Sequence, residues 1–118
     1  MSHPDVLIAA HDAERYVPLL EEMLGGKVRL STARNAREAM EAYQGQAVVL
    51  GEPGLLAPVL DQMPQVRWVQ SSWAGVTPLL QCRRGNLVLT GIKDVFGGQM
   101  AEYVFAYLLA REVRLRER

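Results

Sequence analysis

The residues best suited to chemistry lie in one short loop, Ser71-Ser-Trp-Ala-Gly-Val-Thr77. Ala74 and Gly75 are small enough to let a ligand approach the main chain. Free N–H groups of Gly75, Val76 and Thr77 can then hold a small anion, helped by the dipole if they open a helix. The same pattern also describes a tight strand-to-helix turn in which Gly75 serves only for its backbone angle. Trp73 fits equally as a wall of a ligand mouth or as a packing residue.

Other reactive side chains are few. His3 reads as N-terminal tail and His11 as a loop residue at the rim of a cleft. Neither has a carboxylate at a suggestive spacing in the sequence, as acid–base work would require. The lone Cys82 cannot form an internal disulfide, and within a short helix it reads as a small packing residue rather than a nucleophile. No CxxC and no Cys/His cluster exists, so no metal site is expected. No G-x-G-x-x-G occurs either, and Gly25-Gly26 and Gly97-Gly98 do not supply one.

The elements that would position the loop alternate along the chain. Strands are expected at 5–10, 27–31, 46–51, 66–70 and 86–90. Runs such as Val6-Leu7-Ile8 and Val48-Val49-Leu50 are continuously apolar, as in strands covered on both faces. Helices are expected at 13–24, 35–43, 54–62, 77–83 and 98–117. Gly25-Gly26 stops the first. Asn35 caps the second, with Glu38 three residues on. Thr77 is expected to cap the fourth, with Pro78 at its first position. This alternation implies right-handed βαβ units and an α/β domain. Five repeats predict a flavodoxin-like, doubly wound five-stranded parallel sheet with helices on both faces, in strand order 2-1-3-4-5. Ligands of such sheets sit beyond the carboxyl ends of the strands. Here those ends carry Ala10-His11-Asp12, Gly51-Glu52-Pro53-Gly54, the loop 71–77 and Gly91-Ile92-Lys93-Asp94.

The bulk properties narrow the partners. At 118 residues the chain can bury a core without disulfides or metals. It is 49% hydrophobic and 22% charged, with a formal net charge of zero, so composition gives no electrostatic case for nucleic acid or an anionic membrane. The Arg-rich end from Arg111 to Arg118 reads as a solvated helix end. A lone cysteine and the lack of a signal-peptide pattern point to a cytoplasmic protein.

The last helix is unusual. From Met100 to Ala110 its only charge is Glu102, so it is apolar around nearly its whole circumference and needs partners on all sides. It is too short to span a bilayer, which takes about 20 residues. Residues 1–97 are therefore expected to form the domain, and 98–118 a hinge helix leading to a second domain.

Two segments carry a family resemblance. Trp68-Val-Gln-Ser-Ser-Trp-Ala-Gly-Val-Thr-Pro-Leu-Leu80, followed by Leu89-Thr-Gly91 and Gly98-Gln-Met-Ala-Glu-Tyr-Val104, resembles the D-isomer-specific 2-hydroxyacid dehydrogenases. The likeness is closest to their glyoxylate/hydroxypyruvate reductase-like branch. It covers the whole chain in organisation and about residues 66–110 in motif. The resemblance implies a substrate-binding domain, inactive alone, followed by a Rossmann domain that binds NAD or NADP. It places the amides that hold the substrate carboxylate on Ala74, Gly75 and Val76, with Trp73 beside them, and the family's hinge Ala-Glu pair on Ala101 and Glu102. The family's catalytic Arg, Glu and His would lie beyond Arg118, so no catalytic residue is assigned here.

Two positions depart from the family pattern. Thr77 stands where Asp or Asn is usual. Phe96, five residues before Ala101, replaces an Asn found in several branches, which argues against formate- or phosphoglycerate-dehydrogenase-like specificity. The expected partners are a small 2-oxo or 2-hydroxy acid, the Rossmann domain and a second copy joined through helix 98–117. Two other classes share the architecture. A receiver-like regulatory domain would use Ser71 and Lys93, but its third strand should end in Asp, and here it ends Gly51-Glu52. A stand-alone small-ligand-binding or dimerising domain is the other alternative.

Overall fold

The computed structural model describes residues 4–80, 85–92 and 97–112. Five strands, β1 (Asp5–Ala9), β2 (Arg29–Ala33), β3 (Val48–Gly51), β4 (Trp68–Ser71) and β5 (Val88–Thr90), form one sheet in the order β2-β1-β3-β4-β5. Every pairing is parallel. The flavodoxin-like class and the strand order are those the alternation predicts.

The period-two alternation of strand side chains builds two cores. Leu7 and Ala9 point to one face with Val49 and Val69. There they meet Ala39 of helix α2 (Ala36–Ala42), Leu56 of helix α3 (Pro53–Leu56), and Leu60 and Met63 beyond it. Ile8 and Ala10 point to the other face, under Tyr16, Val17 and Leu20 of helix α1 (Tyr16–Leu24). Leu7, Ile8, Leu56 and Val49 are fully buried, each contributing about 1.5–3 kcal/mol of hydrophobic stabilisation.

Several element bounds differ from the sequence expectations, for local reasons. β2 starts at Arg29 rather than 27, because Gly25 and Gly26 take positive φ angles of 56° and 79° and the Lys27 N–H turns back to Leu24 O at 3.0 Å. The expected helix 54–62 is split into α3 and a 3₁₀ turn at Leu60–Gln62. Pro58 lies between them, and a proline inside a helix lacks the N–H donor and clashes with the preceding turn. The first helix likewise opens with a 3₁₀ turn, Ala13–Arg15.

Only a 3₁₀ turn, Thr77–Leu79, stands at the start of the expected helix 77–83; residues 81–84, Cys82 among them, lie outside the described residues. Thr77 is not its cap. Val76 flanks the turn, and its carbonyl accepts from Leu79 N at 2.9 Å. At α2 the expectation is met: Asn35 Oδ1 accepts from Glu38 N at 2.9 Å, while Glu38 Oε1 accepts from Arg34 N at 3.1 Å.

Two apolar surfaces remain uncovered. Helix α4 (Gly97–Glu112) leaves Met100, Tyr103, Val104, Phe105, Tyr107, Leu108 and Leu109 all more than half exposed. On the sheet, Trp68 and Val88 are exposed on the face that α1 covers farther along, over β1. A polar chain crosses this bare face: Trp68 Nε1 donates to Thr90 Oγ1 at 2.8 Å, and Thr90 Oγ1 donates to Gln70 Oε1 at 2.6 Å. No described helix is long and apolar enough to cross a membrane.

Candidate functional site

The parallel ladder brings the carboxyl ends of β1, β3 and β4 side by side, because Ala9 pairs with Gly51 and Gly51 with Ser71. The ladder continues one step further through Glu52 N to Ala9 O and Ser72 N to Gly51 O, both at 2.9 Å. Every group in the site hangs from this edge.

Ser71 fixes the loop that follows β4. Its buried hydroxyl accepts from Trp73 N at 2.9 Å and donates to Trp73 O at 2.7 Å. One side chain thus holds both main-chain groups of the residue two positions on, a local turn typical of serine. Sequence reasoning gave Ser71 no such role. Ser72 beside it has a buried hydroxyl without a hydrogen-bond partner among the described residues, a state that ordinarily costs about 1–3 kcal/mol.

The loop then presents its main chain outward. Trp73, Ala74 and Gly75 are exposed and Val76 is half-buried. The amides of Ala74, Gly75 and Val76 donate to no described residue. Gly75 has open space where a Cβ would stand, and its φ is not positive. Its lack of a side chain therefore answers to no crowding or backbone strain among the described residues. The dipole of a full helix at 77, by contrast, is not available from a three-residue 3₁₀ turn. From below, Gly91 supports the loop: a Cβ there would lie 3.2 Å from Ala74 O and 3.7 Å from Val76 Cγ1. Lys93 and Asp94 lie outside the described residues, as do His3 and Phe96.

Trp73 reaches back across the edge. A Cβ on Gly54 would stand 3.2 Å from Trp73 Cη2, so the indole lies against the first turn of α3. With 44% of its surface exposed, the ring is a wall more than a core residue.

The wall ends at a group that sequence spacing does not reveal. His11, after β1, does have a carboxylate partner: Glu52, after β3. Glu52 Oε1 accepts from His11 N at 2.9 Å and is bonded to the ring through Nδ1. Asp12 Oδ1 stands 3.9 Å from the same ring nitrogen. The His11 pKa is raised above 6.5, first by the hydrogen bond to Glu52, then by its charge and that of Asp12; slight desolvation and the charge of Arg15 act the other way. Glu52 is mostly shielded while the ring is exposed, so Nε2 faces outward with no described partner. The separation of 41 residues hides this pair from a reading of local motifs. His11, Asp12 and Glu52 also place three potential metal ligands within 4.8 Å of one another, where no metal cluster was expected.

No protein-family profile and no curated protein matches the chain. A solved structure does. A D-isomer-specific 2-hydroxyacid dehydrogenase family protein from Aeromonas salmonicida subsp. salmonicida matches 98% of this chain at 32% identity, with a TM-score of 0.85. The chain is similar to one part of a D-isomer-specific 2-hydroxyacid dehydrogenase family protein. It spans 38% of the length of that dehydrogenase. A second dehydrogenase of this name, from Lactobacillus delbrueckii ssp. bulgaricus in an NAD-complexed form, matches 90% of the chain at 14% identity, over 35% of its own length, with a TM-score of 0.57. A signal receiver domain of an HD-domain-containing protein from Pseudomonas fluorescens aligns over 98% of this chain and 99% of its own, at 17% identity and a TM-score of 0.56. These last two likenesses are ones of fold.

Proposed function

We propose that this chain is the substrate-binding domain of an NAD(P)-dependent D-2-hydroxyacid dehydrogenase acting as a 2-oxo acid reductase, on glyoxylate or hydroxypyruvate. The observation that carries the reading is the 32% identity over 98% of the chain to a family protein. The open loop of Trp73, Ala74, Gly75 and Val76 supports it. In this reading the amides of Ala74, Gly75 and Val76 hold the substrate carboxylate, Gly75 admits it, and Trp73 walls off one side.

NAD or NADP would supply or accept the hydride at C2. This chain contains no dinucleotide fingerprint, so its residues do not fit the cofactor and no step through it is assigned to them. The chain's part is to bind and orient the acid, which converts a chance encounter into a defined approach. Residues 1–97 form this domain. Residues 98–118 are a hinge helix to a nucleotide-binding domain, and the exposed side chains of α4 and the bare Trp68–Val88 face are suited to cover by such further structure. In isolation the same helix supports a homodimer. A cytoplasmic location accords with the lone cysteine.

The test is titration of the 118-residue protein with glyoxylate or oxalate, followed by amide NMR shifts. Shifts at residues 74–76 at millimolar ligand are expected, with no oxidation of NADH or NADPH by this chain alone. Shifts confined to another loop would refute the site. An inactive fusion to a nucleotide-binding domain, across a panel of 2-oxo acids, would favour a stand-alone binding domain.

A further inference from the structure

The substrate carboxylate accounts for the loop at 74–76 but leaves the His11–Glu52 pair unused. That pair stands on the same edge, two strands away. With adjacent strands about 4.8 Å apart, β1 and β4 lie roughly 10 Å from each other. The imidazole leans from β1 toward Glu52 on β3, and the Trp73 indole leans from β4 onto Gly54, two residues after Glu52. The two side chains narrow the gap from opposite ends.

We propose that His11, oriented by Glu52, is the residue that reads the tail of the bound acid, selecting a hydroxyl on C3 over a second carboxylate. This rests on the reading of loop 74–76 as the carboxylate site. The argument is one of hydrogen-bond inventory and charge. Because Nδ1 is committed to Glu52, only Nε2 is left to meet a ligand. When the ring is protonated, Nε2–H donates, and either a hydroxyl or a carboxylate can accept. When it is neutral with its proton kept on Nδ1 for Glu52, Nε2 becomes an acceptor. A hydroxyl then donates to it, whereas a carboxylate has nothing to donate.

Charge acts in the same direction. A tail carboxylate would face the carboxylates of both Glu52 and Asp12 against one imidazolium, with Arg15 the other nearby cation. Like charges so placed act as a repulsive element against the wrong tail. A hydroxyl tail meets no such penalty in either protonation state.

Glycolate (no tail), D-glycerate (hydroxyl tail) and tartronate (carboxylate tail) are stable probes of the difference. Their dissociation constants would be read from the amide shifts of residues 74–76 in the 118-residue protein, with the His11 Nε2 resonance followed in parallel. D-Glycerate is expected to bind about three- to tenfold more tightly than glycolate, the worth of one net hydrogen bond. His11→Gln should reduce this ratio to near one. A glycerate-to-glycolate ratio unchanged in His11→Gln, with loop shifts intact, would overturn this proposal and leave the carboxylate site standing. Loop shifts absent with all three acids would overturn both.

Discussion

A Cβ placed on Gly51 would stand 2.5 Å from the carbonyl oxygen of Ala9, and 3.1 Å from both Ala9 Cβ and Leu56 Cδ1. These are main chain and core, which cannot swing aside as a flexible tip could. Gly51→Ala should therefore destabilise the fold by about 1–3 kcal/mol or more. It should also disturb the Glu52 position that follows it. Chemical denaturation, with the His11 ring resonance as local reporter, checks both effects. Unchanged stability would mean that the end of β3 is looser than this packing implies.

Asn35→Ala removes the side-chain oxygen that accepts from Glu38 N. The expected loss is about 0.5–2 kcal/mol. Asn35→Ser or Asn35→Asp should recover most of it, which urea titration of the three variants would resolve.

Ser71→Ala should cost about 1–3 kcal/mol, because the Trp73 N–H and carbonyl lose their partner at a buried position. It should also raise the mobility of residues 73–76, visible as amide line broadening. In the proposed role, carboxylate binding weakens along with it. Ser71→Ala with an unchanged loop spectrum would assign the loop's shape to Gly91 below it instead.

Glu52→Gln should bring the His11 pKa down toward 6.5, measured by NMR titration of the ring. The raised pKa of the folded protein means that protonation favours folding. That contribution is fully present below pH 6.5 and is lost as pH rises through the raised value. The stability difference between wild type and Glu52→Gln should accordingly shrink on going from acid to alkaline buffer.

Helix α4 should drive self-association of the isolated chain. Val104→Asp and Phe105→Asp each put a charge on its exposed apolar surface. Sedimentation should show wild type associating at high micromolar concentration and both variants shifted toward monomer. A monomeric wild type would refute the dimer.

The sheet was legible because its signals are local. Apolar runs such as Val6-Leu7-Ile8, the Gly25-Gly26 stop and the Asn35 cap each act within a few residues. The break at Pro58 was equally written in the chain, yet the helical pattern on either side of it invites an unbroken reading. The site was legible only in part. Ala74-Gly75-Val76 stands out because small residues in a strand-end loop have a local meaning. The His11–Glu52 pair, Trp73 on Gly54 and Gly51 against Ala9 are made by strand adjacency, which depends on the order β2-β1-β3-β4-β5 and on register. With the order 2-1-3-4-5 in hand, the ends of β1 and β3 become neighbours, and His11 and Glu52 could have been paired from that alone.

The chain has two tryptophans, and they stand in unlike settings. Trp68 has its indole N–H engaged by Thr90 on the bare sheet face, while Trp73 lies on Gly54 at the carboxyl edge of the sheet. Trp68→Phe and Trp73→Phe would each leave a single fluorophore. In the proposed role, the variant retaining Trp73 would report an acid entering at the loop, and the variant retaining Trp68 would report a further domain settling on the sheet. One emission spectrum could then time the two events separately and decide which comes first.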